Sequence, residues 1–298
     1  MLEKEPMSMK RRSFLAVAGA GLLPLPPGLG AQDAPKPHKE PLKLGVVTYN
    51  IAREWDVPTI IKNLTETKVE AVELRTTHAH KVEVNLSAEA RKEVRKRFED
   101  SPVKLASLGS AFEFQSSDPI ELRRNIDGAK EYAKLAADVG AKGMKVRPNG
   151  FTAGNKGVSE EATLRQIGQS LAEVAAVAGE HGIEIRVEVH GQGTCRLPNI
   201  RRMLDIAAHR NVYVCWNSNQ EDLLDGGLEA NFKLVADRIH FVHMRDLFLA
   251  EYPFRHLLAL LRNADYSGYC CAEIPESSDP IRVLKYYRAL FLALQDGM

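Results

Sequence analysis

Eight short runs rich in β-branched and aromatic residues recur along this chain, each followed by a helical stretch, and this alternation limits the fold most. Their starts lie roughly 27 to 41 residues apart, the length of one strand, one loop and one helix. Strands that alternate with helices pair in parallel. The predicted strands are Lys43–Tyr49, Ala71–Arg75, Val103–Leu108, Gly143–Arg147, Glu184–His190, Val212–Trp216, Ile239–Met244 and Tyr269–Ile274.

Eight such units with no ninth favour a closed barrel over an open sheet. The open dinucleotide-binding sheet needs a GxGxxG turn after a strand, and no predicted strand is followed by one. Asp118-Pro119 and Asp279-Pro280 are typical helix starts, and Gly140 and Gly182 follow helical runs as C-terminal caps do. The sequence therefore predicts a single-domain α/β fold, a (β/α)8 TIM barrel over residues 42–298.

The first 31 residues differ from the rest and predict a twin-arginine signal peptide. Arg11-Arg12 precedes a small apolar run, and Gly28-Leu29-Gly30-Ala31 offers small residues for cleavage. The apolar stretch is only about 15 residues and is broken by prolines, too short to span a bilayer. We expect residues 32–41 to be a linker and the mature protein to be periplasmic or extracellular, with no stable membrane insertion after cleavage.

Charge and cysteine content narrow the range of partners. The 40 Lys plus Arg residues nearly cancel the 39 Asp plus Glu residues, so no overall field would attract nucleic acid or anionic lipid. The four cysteines, Cys195, Cys215, Cys270 and Cys271, show no metal-finger spacing. Buried free thiols are the ordinary interpretation. A disulfide that involves Cys195 stays open at this point.

Polar side chains at the ends of four consecutive strands predict a functional pocket. Alternation along the fifth strand places Glu188 and His190 on the face opposite to Ile185, Val187 and Val189, and therefore towards the barrel axis. The same reasoning directs Lys145, Arg147, Asn217 and Glu273 inwards, while Phe241-Val242 leaves the register of the seventh strand open. The residues that converge are Glu188, Asn217, His243 and Glu273. Such a set can bind a divalent metal, and two buried carboxylates need a cation between them.

A purely structural interpretation of the same residues is the alternative. Glu188 could form an interior ion pair with Arg147 or Arg186, and Glu273 could pair with Lys145. His243 could be a core histidine with satisfied hydrogen bonds. Four polar groups at equivalent strand ends favour the functional pocket, because catalytic groups in barrels of this kind come from the carboxyl ends of several strands.

Several local motifs resemble the sugar isomerase/epimerase family of xylose-isomerase-like barrels. The resemblance covers Leu42 to the C-terminus. The motifs are Val187-Glu188-Val189-His190-Gly191, Cys215-Trp216-Asn217-Ser218-Asn219, His240-Phe241-Val242-His243-Met244-Arg245-Asp246, and Tyr266-Ser267-Gly268-Tyr269 followed by Ala272-Glu273.

The resemblance implies one divalent metal ion, with Mn, Mg, Co and Zn left open, held by Glu188, Asn217, His243 and Glu273. Asn217 stands where the family usually has Asp, and Gln220 stands where a histidine often follows it. An amide oxygen can coordinate a hard cation but brings no charge. The site is therefore expected to bind metal more weakly, or to prefer a different metal.

The chemistry that the resemblance implies is isomerisation or epimerisation of a keto-sugar or related carbohydrate. Proton abstraction beside a carbonyl gives an enediolate, and a metal stabilises it. Glu188 and Glu273 would be the catalytic acid and base, in an order left open. The predicted contacts to this small carbohydrate substrate are His190, Arg147, Lys145, His78, His80 and Arg245.

Three other functions are alternatives. Export disfavours phosphorylated sugars, and abstraction beside a 3-keto group can expel a substituent, which gives a lyase or hydratase acting on 3-keto-glycosides. A non-catalytic exported sugar-binding barrel would keep the pocket without the metal. A metal-dependent DNA endonuclease needs more His and acidic ligands and a basic face, which this chain lacks. The sequence leaves the oligomeric state open.

Overall fold

The computed structural model describes residues 40–151 and 157–296, and it confirms the barrel. Eight parallel strands close into a ring in chain order, β1 to β8, with β8 paired to β1. The strands are β1 Lys43–Val47, β2 Ala71–Arg75, β3 Lys104–Gly109, β4 Gly143–Val146, β5 Glu184–Glu188, β6 Val212–Asn217, β7 Ile239–Met244 and β8 Tyr269–Ala272.

One α-helix follows each strand on the outside of the ring. The helices are α1 Val57–Thr67, α2 Ala88–Glu99, α3 Pro119–Asp138, α4 Glu160–Glu180, α5 Leu197–Ala207, α6 Gly227–Val235, α7 Phe254–Asn263 and α8 Pro280–Ala293. The predicted caps are present: Asp118 accepts a hydrogen bond from the Ile120 amide at 2.9 Å, and Asp279 accepts one from the Arg282 amide at 3.2 Å. Gly140 follows α3 with φ of 85°, a conformation that favours glycine.

The predicted leader and most of the linker lie in residues 1–39, outside the described residues. Within the part of the chain that the structure describes, no helix is both long enough and apolar enough to cross a bilayer.

Three strands end two residues earlier than predicted. β1, β5 and β8 end at Val47, Glu188 and Ala272. The residues beyond them keep single bonds to their neighbours, such as the Val189 amide to the Cys215 carbonyl at 3.0 Å, but they leave the regular ladder. The apolar alternation continues past the last ladder bond, so sequence pattern alone overestimates strand length. These extra residues form the rim of the barrel mouth.

The barrel interior has an apolar layer beneath a polar one. The apolar layer consists of Val47, Ala71, Ala106, Cys215, Phe241 and Cys271. Phe241 therefore points inwards, which settles the register of β7 and sends Val242 to the helices. The outward residues of β5, Ile185 and Val187, pack in the main core, as predicted. All four cysteines are buried free thiols.

A buried hydrogen-bond chain joins the loops that follow β6 and β7. The Trp216 indole Nε1 donates to the Tyr252 hydroxyl at 3.1 Å, and that hydroxyl donates to Asp222 Oδ2 at 2.7 Å. The Asn219 amide donates to the same oxygen at 3.0 Å, while Asp222 Oδ1 is buried with no hydrogen-bond partner. Burial raises the pKa of Asp222 from 3.8 to about 8, against the opposing effect of the Tyr252 hydrogen bond.

This raised pKa makes stability depend on pH. The folded state holds the Asp222 proton more tightly than the unfolded chain, so ionisation of Asp222 destabilises the fold between pH 4 and 8. We expect this group to remove about 1.4 kcal/mol of unfolding free energy per pH unit in that window. Denaturant titrations of wild type and Asp222→Asn at pH 5, 6, 7 and 8 measure it, with exposed Asp237→Asn as the control. Equal pH slopes for wild type and Asp222→Asn would contradict the prediction.

Candidate active site

A polar cavity opens at the carboxyl ends of the strands, where the sequence places the site. Its volume is about 390 Å³, within the usual range for small-molecule sites. The structure brings seven of the predicted site residues to its wall: Lys145, Arg147, Glu188, His190, Asn217, Arg245 and Glu273. The wall also includes Tyr49, Asn50, Arg75, Asp246, Leu249, Ile274 and Pro275.

At the floor of the cavity, Glu188 and Glu273 converge on one nitrogen of the fully buried His243. His243 Nδ1 lies 3.3 Å from Glu188 Oε1 and 3.5 Å from Glu273 Oε2. One ligand atom from each of the three side chains lies within 4.8 Å of the others, close enough to share a metal ion. Asn217 is the β-ladder partner of His243 on the next strand and also lines the cavity.

These residues fit a divalent cation. His243 Nδ1 is buried and has no hydrogen-bond partner, which is unusual for an interior histidine nitrogen. Carboxylate and amide oxygens surround it, and one imidazole nitrogen with oxygen donors suits Mn, Mg, Co or Zn. The side chains of Glu188, Asn217, His243 and Glu273 could therefore hold the ion, as the sequence predicts.

The interior ion pairs differ from those considered in the sequence interpretation. Lys145 Nζ donates to Glu188 Oε2 at 2.8 Å, and both side chains are almost fully buried. The pairings that the structural alternative offered, Glu188 with Arg147 or Arg186 and Glu273 with Lys145, do not form among the described residues. Arg147 and Arg186 bind other carboxylates, of Glu113 and Glu184 respectively, each at 2.8 Å. The positions of neighbouring strands around the ring, which the sequence does not contain, decide these pairs.

The two carboxylates at the floor have different electrostatic environments. Burial would raise the pKa of Glu188, but the Lys145 ammonium and His243 outweigh burial and hold that pKa below its usual range. Burial raises the pKa of Glu273, His243 opposes the shift, and the nearby Glu188 adds to it. Among the described residues no Lys or Arg forms an ion pair with Glu273. Glu273 is therefore the easier of the two to protonate.

Sequence reasoning missed Glu73, which holds the other nitrogen of the imidazole. Glu73 on β2 is completely buried, and its Oε1 lies 3.2 Å from His243 Nε2 across the barrel. An Nε2–H that donates to Glu73 leaves the Nδ1 lone pair free for a metal, the usual arrangement of a metal-binding histidine. The signal was available, because alternation along Ala71–Arg75 places Glu73 on the inward face.

Space for the Glu73 carboxylate depends on a glycine of the adjacent strand. A Cβ atom at Gly109 would lie 2.7 Å from Glu73 Oε1 and 3.3 Å from the Arg75 backbone. A side chain at position 109 would therefore displace the carboxylate from its place beside His243.

His78 and His80 do not reach the cavity. His78 accepts or donates one hydrogen bond with the Thr48 hydroxyl at 3.0 Å and stacks on Tyr49, with ring centroids 6.2 Å apart. Burial, followed by the charge of Arg75, lowers the pKa of His78 to about 4, so His78 is neutral. His80 uses both ring nitrogens on backbone groups, the Arg75 carbonyl at 2.8 Å and the Val82 amide at 3.0 Å. Both histidines support the loop after β2 rather than a ligand.

A second cavity of similar volume, about 400 Å³, lies at the opposite, amino-terminal end of the barrel. Three of its ionisable groups pair with one another: His240 with Glu184 at 2.9 Å, and Arg186 with the same carboxylate at 2.8 Å. Side chains at that face of such barrels serve stability, whereas chemistry occurs at the carboxyl face. We therefore assign the functional site to the cavity that Glu188, Asn217 and Glu273 line.

The closed ring, together with two carboxylates and a histidine that could hold a metal, defines a class, the α/β barrels with a candidate metal centre at the carboxyl end of the strands. Within that class, the family model for the xylose isomerase-like TIM barrel matches residues 61–291. The chain belongs to this family, as its motifs indicate. No curated protein matches the chain in sequence.

Solved structures share this fold at low sequence identity. The 3-keto-D-glucoside 4-epimerase YcjR from E. coli has a TM-score of 0.71 at 15% identity, over 85% of this chain and 99% of its own. The IOLI protein with a bound zinc atom has a TM-score of 0.68 at 16% identity, over 86% and 100%. The probable 3-DHS dehydratase AsbF of petrobactin synthesis from Bacillus anthracis has a TM-score of 0.63 at 13% identity, over 86% and 98%.

Displacing the Glu73 carboxylate should weaken metal binding. We expect Gly109→Ala to lower Co²⁺ affinity about tenfold or more, because outer hydrogen bonds to metal-binding histidines typically contribute that much. Calorimetric titration measures affinity, and ¹⁵N NMR of the His243 ring reports which nitrogen carries the proton. The matched control is Gly179→Ala in α4, where an added Cβ would make only an ordinary 3.6 Å contact. Unchanged affinity and an unchanged ring tautomer in Gly109→Ala would contradict this role.

Introducing a charged oxygen at position 217 should have the opposite effect. Asn217→Asp adds a carboxylate to the set Glu188, His243 and Glu273, so divalent-metal affinity should rise at least tenfold. The same titration measures it. An affinity equal to that of wild type would show that Asn217 is not a ligand.

Proposed function

We propose that this protein is a divalent-metal-dependent isomerase or epimerase that acts on a keto-sugar or related carbohydrate by removing a proton next to the carbonyl. The observation that supports it most directly is the convergence of Glu188 and Glu273 on the unpartnered Nδ1 of His243, at the floor of a cavity large enough for a sugar. Membership of the xylose isomerase-like family agrees with this chemistry.

Glu188, Asn217, His243 and Glu273 would hold the metal. When bound there, the cation would supply Lewis-acid polarisation of the substrate carbonyl and make the neighbouring carbon more acidic. The Glu73 carboxylate keeps the imidazole oriented for this task.

The protein's own groups divide the proton transfers. We assign removal of the carbon-bound proton to Glu273, since its carboxylate has no ammonium partner among the described residues, whereas Glu188 Oε2 is occupied by Lys145. Glu188 reaches the site from a different strand, β5, and in its protonated form would donate a proton to the same carbon on epimerisation. The Lys145 ammonium and His190, whose Nδ1 has no hydrogen-bond partner, remain to bind substrate oxygens.

A lyase or hydratase acting on 3-keto-glycosides is the second candidate. The same proton removal beside a 3-keto group expels a substituent when the proton is not returned. The fold likeness to both a 3-keto-D-glucoside 4-epimerase and a probable 3-DHS dehydratase supports this possibility. We further propose export by the twin-arginine route, on the basis of Arg11-Arg12 and the apolar run after them. An exported enzyme would meet free or glycosidic sugars.

Deuterium exchange tests these proposals together. Metal-loaded protein is incubated in deuterated water with a panel of keto-sugars and 3-keto-glycosides, and mass spectrometry follows each compound. Deuterium in recovered sugar, or a mixture of epimers, supports the isomerase or epimerase. Loss of a substituent supports the lyase. Binding with no exchange for any compound would contradict both and support a non-catalytic sugar-binding barrel.

Removing the charge of Glu273 should stop turnover. We expect Glu273→Gln to lower kcat by at least a thousandfold with the fold intact, because the amide keeps the volume but cannot take a proton. Metal content and circular dichroism are measured on the same sample, so that loss of metal is distinguished from loss of the base. Wild-type exchange rates in this variant would refute the assignment.

A further inference from the structure

Four cationic side chains line the cavity, and two of them already have carboxylate partners. Lys145 pairs with Glu188 at 2.8 Å, and Arg147 pairs with Glu113 at 2.8 Å. These two cations belong to the β4 side of the mouth, and their charges are balanced within the protein.

The other two, Arg75 and Arg245, have no carboxylate within ion-pair distance among residues 40–151 and 157–296. Arg75 Nη1 donates to the Thr76 carbonyl at 2.9 Å, and its guanidinium lies 5.4 Å from the Tyr49 ring. Arg245 Nε donates to the Ser218 carbonyl at 2.8 Å.

One hydrogen-bond donor of the Arg245 guanidinium is not used. Its Nη2 is buried with no hydrogen-bond partner, and an unpaired buried donor is expensive. Asp222 lies close enough for Arg245 to lower its pKa slightly, but the two groups are not within ion-pair distance. The guanidinium is thus held in place by one backbone bond while its charge remains unbalanced.

The two arginines flank one side of the mouth. Arg75 ends β2 and Arg245 follows β7, and β8 and β1 lie between them in the ring. This side lies opposite β4 and also carries the Asp246 carboxyl, which lines the cavity and forms no ion pair with another residue that the structure describes. The Glu273 carboxylate, directly after β8, also lies on this side, and the cation proposed beside His243 would balance its charge. With Glu273 assigned to that centre, two positive charges against the Asp246 carboxyl leave an excess of one positive charge on this wall.

We propose that the substrate carries an oxyanion, a carboxylate in preference to the phosphate that the proposed export disfavours, and that Arg75 and Arg245 bind it on the β8–β1 side of the mouth. A guanidinium presents several donors in a plane that matches both groups. This inference rests on the proposed function for the sugar part of the substrate. It adds a substrate class, the acidic keto-sugars, in which the anion is bound away from the carbon that loses its proton.

The experiment compares four ligands of the metal-loaded full chain: a keto-hexuronate, its uncharged amide, the parent keto-hexose and a keto-hexose phosphate. Calorimetry measures binding, and deuterium exchange measures reaction. Arg245→Gln and Arg75→Gln are compared with Arg53→Gln, an exposed arginine that pairs with Glu54 at 3.2 Å and does not line the cavity.

We expect the uronate or the phosphate to bind about 10- to 100-fold more tightly than the uncharged compounds. That preference should fall about tenfold in Arg245→Gln and Arg75→Gln and persist in Arg53→Gln. Which anion binds more tightly identifies the source of the oxyanion.

Two results would overturn the inference: equal binding of charged and uncharged ligands, including no binding of any, or an anion preference that neither arginine variant reduces. These outcomes are separate from failure of the proposed function. Exchange of uncharged keto-sugars as fast as the uronate keeps the reaction and removes the anion site. Arginine-dependent anion binding without exchange of any compound keeps the anion site and removes the reaction.

Discussion

The arrangement of the whole site depends on three carboxylates placed around one imidazole inside the barrel. Glu73, Glu188 and Glu273 all lie within 3.5 Å of His243. Like charges a few ångströms apart repel by about 4 kcal/mol per pair at an effective dielectric of 20, so they need positive charge nearby. Lys145 supplies one such charge at 2.8 Å from Glu188. The remaining excess of negative charge is what makes a divalent cation a favourable occupant.

Much of the fold could be predicted from the sequence because the patterns that specify strands and helices involve residues close to one another in the chain. Alternation of strands and helices, and caps such as Asp118, depend on residues a few positions apart. The inward direction of Glu188 and Glu273 follows from the same alternation. The predicted strand ends were less accurate, because the apolar alternation continues beyond the last hydrogen bond of the β-ladder.

Contacts across the barrel could not be predicted in this way. Glu73 and His243 are 170 residues apart in sequence, and only closure of the ring brings them together. Lys145 pairs with Glu188 and not with Glu273 because β4 lies beside β5 in the barrel. His78 and His80 were predicted to contact the substrate, but they do not line the cavity. The conformation of the loop after β2 turns them towards Thr48 and the backbone instead. The leader remains a prediction from sequence.

The hydrogen bond from His243 to Glu73 has a mechanical consequence. It connects a strand in the first quarter of the described barrel with a strand near its end, while the other ring nitrogen faces β5 and β8. An ion bound to that nitrogen would link β5 and β8 to β7 and, through Glu73, to β2. It would be released when the barrel opened. Such an ion would stabilise the closed barrel, so metal binding and folding would be thermodynamically linked.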